Sequence, residues 1–127
     1  GDYLIRNFLG VDRERGVLAV GEQLPIGRTV QLHVRDKRTS TEDLVAVLKR
    51  TLDKTGGKLP NGALLFSCLG RGHHLYGEPN KDSQLFKSVV GDVPLGGFFC
   101  SGEIGPIQNA THLHGYTSAF AVFREKK

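Results

Sequence analysis

Apolar and polar residues change period several times along the chain, and the changes mark the expected elements. Tyr3 to Leu9 is rich in aromatic and branched residues and stops at Gly10, which predicts a strand, a turn over Asp12 to Gly16 and a return strand over Val17 to Val20. From Thr29 the period is two: Val30, Leu32 and Val34 share one face, while Gln31, His33 and Arg35 share the other, as in a half-buried strand. Leu44, Val45, Val47, Leu48 and Leu52 then recur at helical spacing, with Ser40 as the expected cap and Gly56-Gly57 as the stop. A helix over residues 41–54 is predicted. Ala63 to Cys68 is apolar on both faces, as a central strand requires. Asp82 is the expected cap of a second, shorter helix carrying Leu85, Phe86, Val89 and Val90 and ending at Gly91. Gly96 to Cys100 and Leu113 to Phe123, the latter interrupted at Gly115, complete the strands.

This order predicts an α+β fold, a mixed β-sheet of about six strands with two helices packed on it. An α/β arrangement with a parallel βαβαβ core is the alternative. With 127 residues, 39% of them apolar and 24% charged, the chain suits one domain over residues 1–127, and its composition is far from that of disordered or collagen-like sequences. No apolar run approaches the roughly 20 residues a membrane-spanning helix needs, and no basic stretch leads into an apolar one at the start. Cys68 and Cys100 are too few for a disulfide framework and too far apart for a CxxC site, so both read as reduced thiols. Together these features favour the cytoplasm. The net charge is +4, but the basic residues are interleaved with acids, as in Arg13-Glu14-Arg15, so neither nucleic acid nor membrane is an expected partner.

Two segments put glycines and small polar groups directly after a buried strand: Phe66-Ser-Cys-Leu-Gly-Arg-Gly-His-His74 and Phe98-Phe-Cys-Ser-Gly-Glu-Ile-Gly-Pro106. Their charges, Arg71 and Glu103, are opposite, and a zwitterion such as an amino acid would satisfy both: the guanidinium takes a carboxylate and the carboxylate an ammonium. The residues expected to bind ligand are therefore Ser67, Cys68, Gly70, Arg71, Gly72, His73, Cys100, Ser101, Gly102, Glu103 and Gly105. His33, on the polar face of its strand, is a further pocket candidate. The competing view is that the two charges pair with each other or face solvent while the glycines only make turns. A cysteine nucleophile at position 68 or 100 with a base from His73, His74 or His114 is the enzymatic alternative, although no thiol-enzyme motif is present. His112 and His114, with His73 and His74, form too weak a pattern for a metal site. No phosphate loop, Gly-x-Ser-x-Gly elbow or paired-carboxylate signature occurs. No metal, cofactor or self-sufficient catalysis is expected.

The strings Gly62-Ala-Leu-Leu-Phe-Ser-Cys-Leu-Gly-Arg-Gly72, Pro94-Leu-Gly-Gly-Phe-Phe-Cys-Ser-Gly-Glu-Ile-Gly-Pro106 and Leu113-His-Gly-Tyr-Thr-Ser118 together resemble the C-terminal part of the FIST module of F-box and intracellular signal transduction proteins. The opening Tyr-Leu-Ile-Arg-Asn-Phe-Leu-Gly-Val-Asp12 extends the likeness over nearly the whole chain. What the resemblance implies is a sensory domain for a small ligand, an amino acid or derivative being the proposed class, coupled to a signalling output. It carries over to Ser67, Cys68, Gly70, Arg71 and Gly72, and to Gly102, Glu103, Gly105 and Pro106. Such modules have a preceding N-terminal part and often an output domain, so the chain reads as a piece of a larger protein. Surfaces left uncovered in the piece would suit an N-terminal part, an output partner or a second copy.

Overall fold

The computed structural model describes residues 3–125. Phe8–Asp12 (β1) and Val17–Val20 (β2) form an antiparallel hairpin, its turn closed by Asp12 Oδ1, which accepts from the backbone N–H groups of Glu14 and Arg15 at 3.1 and 3.0 Å. The expected strand over Tyr3 to Leu9 thus begins only at Phe8. The expected strand over residues 29–35 does not form: its alternation is intact, but among the described residues no strand pairs with it, and Val34 is 87% exposed. Alternation prepares a segment for a sheet, whereas a strand exists only with a partner ladder.

Lys37–Asp53 (α1) begins four residues earlier than residue 41. Its cap is Asp36, not Ser40: the Asp36 carboxylate accepts from the N–H groups of Arg38 and Thr39 and from Thr39 Oγ1. These bonds, the Thr39 N–H foremost, hold the Asp36 carboxyl below its ordinary range. A charged acceptor so placed satisfies two otherwise orphaned helix N–H groups and meets the positive end of the helix dipole.

The central sheet has the order β4-β3-β7, where β3 is Gly62–Cys68, β4 is Leu95–Cys100 and β7 is Ser118–Phe123. Strand β4 runs parallel to β3, and β7 antiparallel on its other side, so the sheet is mixed and the fold α+β; a parallel βαβαβ core is not the arrangement. Between β3 and β4 lie His73–Tyr76 (α2) and Lys81–Val90 (α3), and a hairpin of Glu103–Ile107 (β5) and Ala110–His114 (β6) precedes β7. Seven strands and three helices are therefore described, against about six and two expected.

Side chains alternate across β3, so Ala63, Leu65 and Ser67 face the helices, and Leu64, Phe66 and Cys68 face away. On the helix side Leu44 and Leu48 of α1, Phe86 and Val90 of α3 and Ala63 form the core, with Phe86 stacked on Phe120 at 5.5 Å. The opposite side has no helix: Phe98 meets Phe66 edge-on at 5.2 Å yet stays 64% exposed, and Leu64 and Phe123 are also open. Among the described residues no helix is long and apolar enough to cross a membrane.

Candidate functional site

The first glycine-bearing turn leaves β3 at Cys68 and folds back at once, the Arg71 N–H donating to the Cys68 carbonyl at 2.8 Å. This carries the Arg71 side chain inward, under α3, where only 7% of the residue is exposed. Its guanidinium meets Asp82 along two edges, Nε donating to Oδ2 at 2.8 Å and Nη2 to Oδ1 at 2.9 Å. Nη1 donates to the Tyr116 carbonyl at 3.4 Å, and Nη2 also reaches the Tyr76 hydroxyl. Asp82 accepts further from Tyr76 at 2.8 Å, from Ser67 at 2.9 Å and from Ser118 at 2.6 Å. Asp82 thus gathers β3, α2, β7 and the Arg71 turn onto the first turn of α3. It was expected to cap that helix. The N-cap is instead Asn80, in a left-handed conformation and without a side-chain cap bond.

Burial alone would raise the Asp82 carboxyl; the bond and charge of Arg71, with the hydroxyls of Ser118 and Tyr76, overcome it and hold the group at about 2. For Arg71 burial works downward, and the bond and charge of Asp82 outweigh it, so the guanidinium is pushed up. Burial, chiefly, pushes the Tyr76 phenol well up. At neutral pH the cluster is an ion pair with a neutral phenol beside it.

Glu103 opens β5 and is 1% exposed. Its Oε2 accepts from Thr117 N and Oγ1 at 3.3 and 2.8 Å, and its Oε1 accepts from Cys100 Sγ at 3.5 Å. Arg71 and Glu103 are therefore not a pair: each has its own partners inside the chain, and neither faces solvent.

Of the other predicted residues, Ser67 belongs to the Asp82 cluster, and Cys68 and Cys100 face each other as register partners at the ends of β3 and β4. Burial first, and then the bond and charge of Glu103, push the Cys100 thiol up. Gly70 lies beneath the Tyr116 ring, so close that a Cβ would sit 2.7 Å from it. His73 and Ser101 are exposed, Gly72 precedes α2, and Gly102 lies in the turn between β4 and β5. The carbonyl of Gly105 lies 2.9 Å from His114 Nε2. Among the described residues no three His, Cys, Asp or Glu side chains cluster as metal ligands would.

Two hollows flank the Asp82 cluster. The smaller, about 230 Å³, lies between β4 and the start of α3, and Ser67, Gly72 and Asp82 help to line it. The larger, about 1220 Å³, lies between the N-terminal segment of residues 3–35, α1 and the 115–118 turn; of the predicted ligand residues only Arg71 lines it, joined by His33. Arg35 reaches across it, donating from Nη1 to the Gly70 carbonyl at 3.1 Å and lying 4.0 Å over the Tyr116 ring. Arg6, Arg28, Arg35 and Arg71 stand in this lining against the carboxylates of Glu22 and Asp43, and Arg6 is already paired with Glu22 at 2.9 Å. Sequence reasoning did not name Arg35, Tyr76, Asp82, Tyr116 or Thr117 as site residues; the hints were that Arg35 shares a polar face with His33 and that Tyr116 and Thr117 sit in the third signature string.

The geometry describes an α+β domain that neutralises its signature charges internally and leaves an open, arginine-rich hollow beside them. The model of the FIST C domain matches residues 1–106, and the chain belongs to that family. The chain is similar to an uncharacterized protein of Mycobacterium tuberculosis, 41% identical over 123 residues, which cover 97% of this chain and 32% of that protein. A second uncharacterized protein, from Mycobacterium bovis, is 39% identical over 126 residues, again 97% of this chain and 32% of the other. An F-box/LRR-repeat protein of Arabidopsis thaliana is 30% identical over 95 residues, 72% of this chain and 18% of that protein. The chain spans about a third of the length of its mycobacterial relatives.

Proposed function

We propose that the domain is the receiving part of a sensory protein, binding a small ligand such as an amino acid or a derivative in the larger hollow. The observation that carries this reading is the Arg35 guanidinium, held in place by Gly70 and Tyr116 at the mouth of a space lined by further arginines. A preorganised fork of donors suits a carboxylate, and Asp43 in the same lining suits an ammonium. Arg71 serves from the wall, holding the Tyr116 carbonyl and so the turn on which Arg35 rests. The second signature turn, with Cys100, Ser101, Gly102, Glu103 and Gly105, acts through Thr117 next to Tyr116. Ligand binding orders the N-terminal segment against the domain and alters the surface offered to a partner. The reduced thiols suit the cytoplasm.

The test is a thermal shift series with amino acids and their N-acetyl derivatives. At a ligand concentration about a hundred times Kd, linkage raises stability by about 2.7 kcal/mol. Arg35→Gln removes the shift while leaving the unliganded melting temperature nearly unchanged. A panel without any shift, or a shift that persists in R35Q, refutes the reading.

A cysteine-dependent enzyme is less well supported. The Cys100 thiol is pushed up rather than activated, and among the described hydrogen bonds no histidine meets either cysteine. An interaction role has a specific observation behind it, the uncovered sheet face of Leu64, Phe98 and Phe123 with the strand-patterned segment 29–35. We assign that face to an N-terminal part or output domain such as the longer relatives have room for. Pairing of two copies is the rival arrangement, and light scattering that finds a stable dimer would favour it.

A further inference from the structure

We propose that Cys68 and Cys100 form an oxidative modification site, a dithiol that peroxide closes to an intramolecular disulfide. The two residues are direct register partners on adjacent parallel strands, so both side chains leave the sheet on the same face. Neighbouring strands lie about 4.8 Å apart, inside the range of about 4.4–6.8 Å over which Cα atoms are bridged. Each cysteine ends its strand and is followed within two residues by a glycine, Gly70 or Gly102, so the small approach that an S–S bond needs falls on turns rather than on the ladder. Ser67 faces Asp82 and α3, so its neighbour Cys68 points to the side without helices. Cys100 Sγ leans toward β3, lying 3.7 Å from the Ser67 carbonyl. Both thiols are free.

The surroundings supply the proton handling. Cys100 is the more accessible sulfur, and its S–H already points at Glu103 Oε1. As Glu103 takes that proton, the sulfur attacks one peroxide oxygen, the O–O bond breaks, and the departing hydroxide leaves as water, giving a sulfenic acid at Cys100. Cys68 Sγ then attacks the Cys100 sulfur, aided by the Gly70 N–H that donates to it at 3.4 Å, and the sulfenic hydroxyl leaves as a second water with the Cys68 proton. In sum, two thiols and one hydrogen peroxide give one disulfide and two waters; the sulfurs are oxidised and the peroxide is reduced. Because burial and Glu103 keep the Cys100 thiol protonated, the closure is slow and answers to sustained rather than trace peroxide. The bridge ties together the turns that carry Arg71 and Glu103, and it removes the S–H donor from Glu103.

The test treats the native chain with hydrogen peroxide at neutral pH and maps it by mass spectrometry without reduction. The expected product has lost the mass of two hydrogen atoms, joins the tryptic peptides 59–71 and 88–124, and reverts with dithiothreitol. Cys68→Ser is expected to stop at a sulfenic acid trapped by dimedone at Cys100. Sulfinic or sulfonic acids on separate cysteines, disulfides only between two molecules, or linked peptides that form only in urea-unfolded chain would each overturn the proposal.

Discussion

Replacing Asp82 with asparagine changes one oxygen and almost no volume, yet it strips the charge from the point where three strand or helix elements meet a buried guanidinium. In the native cluster the two Asp82 oxygens receive bonds from Arg71 Nε and Nη2, Tyr76, Ser67 and Ser118, all at 2.6–2.9 Å. In D82N an amide NH2 faces donors where an acceptor stood, and Arg71 keeps its charge while 7% exposed. Breaking a buried pair from one side costs about 3–5 kcal/mol, a large part of the roughly 5–15 kcal/mol that holds a domain together. For a chain of this length that loss corresponds to a fall of about 15 °C in Tm. Urea unfolding followed by circular dichroism measures it. A loss below about 1 kcal/mol would refute the picture of a desolvated, mutually dependent pair. The double variant Asp82→Leu with Arg71→Met supplies the control: with no stranded charge it is expected to be more stable than D82N. A double variant no better than the single one would show that the loss comes from shape and not from charge.

The same cluster sets the acid limit. The Asp82 carboxyl is depressed to about 2 in the fold and lies near 3.9 in an unfolded chain. Its contribution, about 2–3 kcal/mol, is therefore complete above about pH 4 and is lost as pH falls through about 2. Stability curves of wild type and D82N should converge over that interval, and parallel curves would contradict the assignment. Gly97→Ala is expected to cost about 3 kcal/mol or more, because a Cβ there would lie 1.9 Å from the Leu65 carbonyl oxygen, on the strand with which β4 pairs. Gly57→Ala, in open space, should cost only about 1 kcal/mol of backbone strain; equal losses in the two variants would show that the tight β3–β4 approach is not what position 97 protects.

Much of the architecture could be read from local pattern. The apolar stretch before Cys68 and the helical spacing from Leu44 to Leu52 became the expected elements because they bury apolar residues against sequence-distant neighbours of ordinary kind, and the short run after Gly96 became a strand by pairing with β3 although Phe98 and Phe99 stay exposed. The failures share a cause, which is that the deciding partner lay elsewhere. Asp82 looked like a helix cap because its local sequence offers that role, while Arg71, eleven positions away, offered a stronger one. The alternating residues 29–35 have the chemistry of a strand and no strand to pair with. Glu103–Ile107 contains Gly105 and Pro106 and reads as a turn, yet it forms β5, since a proline is tolerated in a hairpin where its missing donor is not needed by a neighbour. Of the candidate site, the two signature turns and their charges Arg71 and Glu103 were legible in the sequence. That their charges are consumed inside the fold was not.

The two signature turns that carry Arg71 and Glu103 thus brace the scaffold, whereas the walls of the larger hollow come mostly from the N-terminal segment, α1 and the 115–118 turn of the third string. The walls of the hollow and the bracing of the fold are written largely in different stretches of the chain. On the proposed reading, residues 13–35 can change to suit another ligand while the turns that carry Arg71 and Glu103 stay as they are.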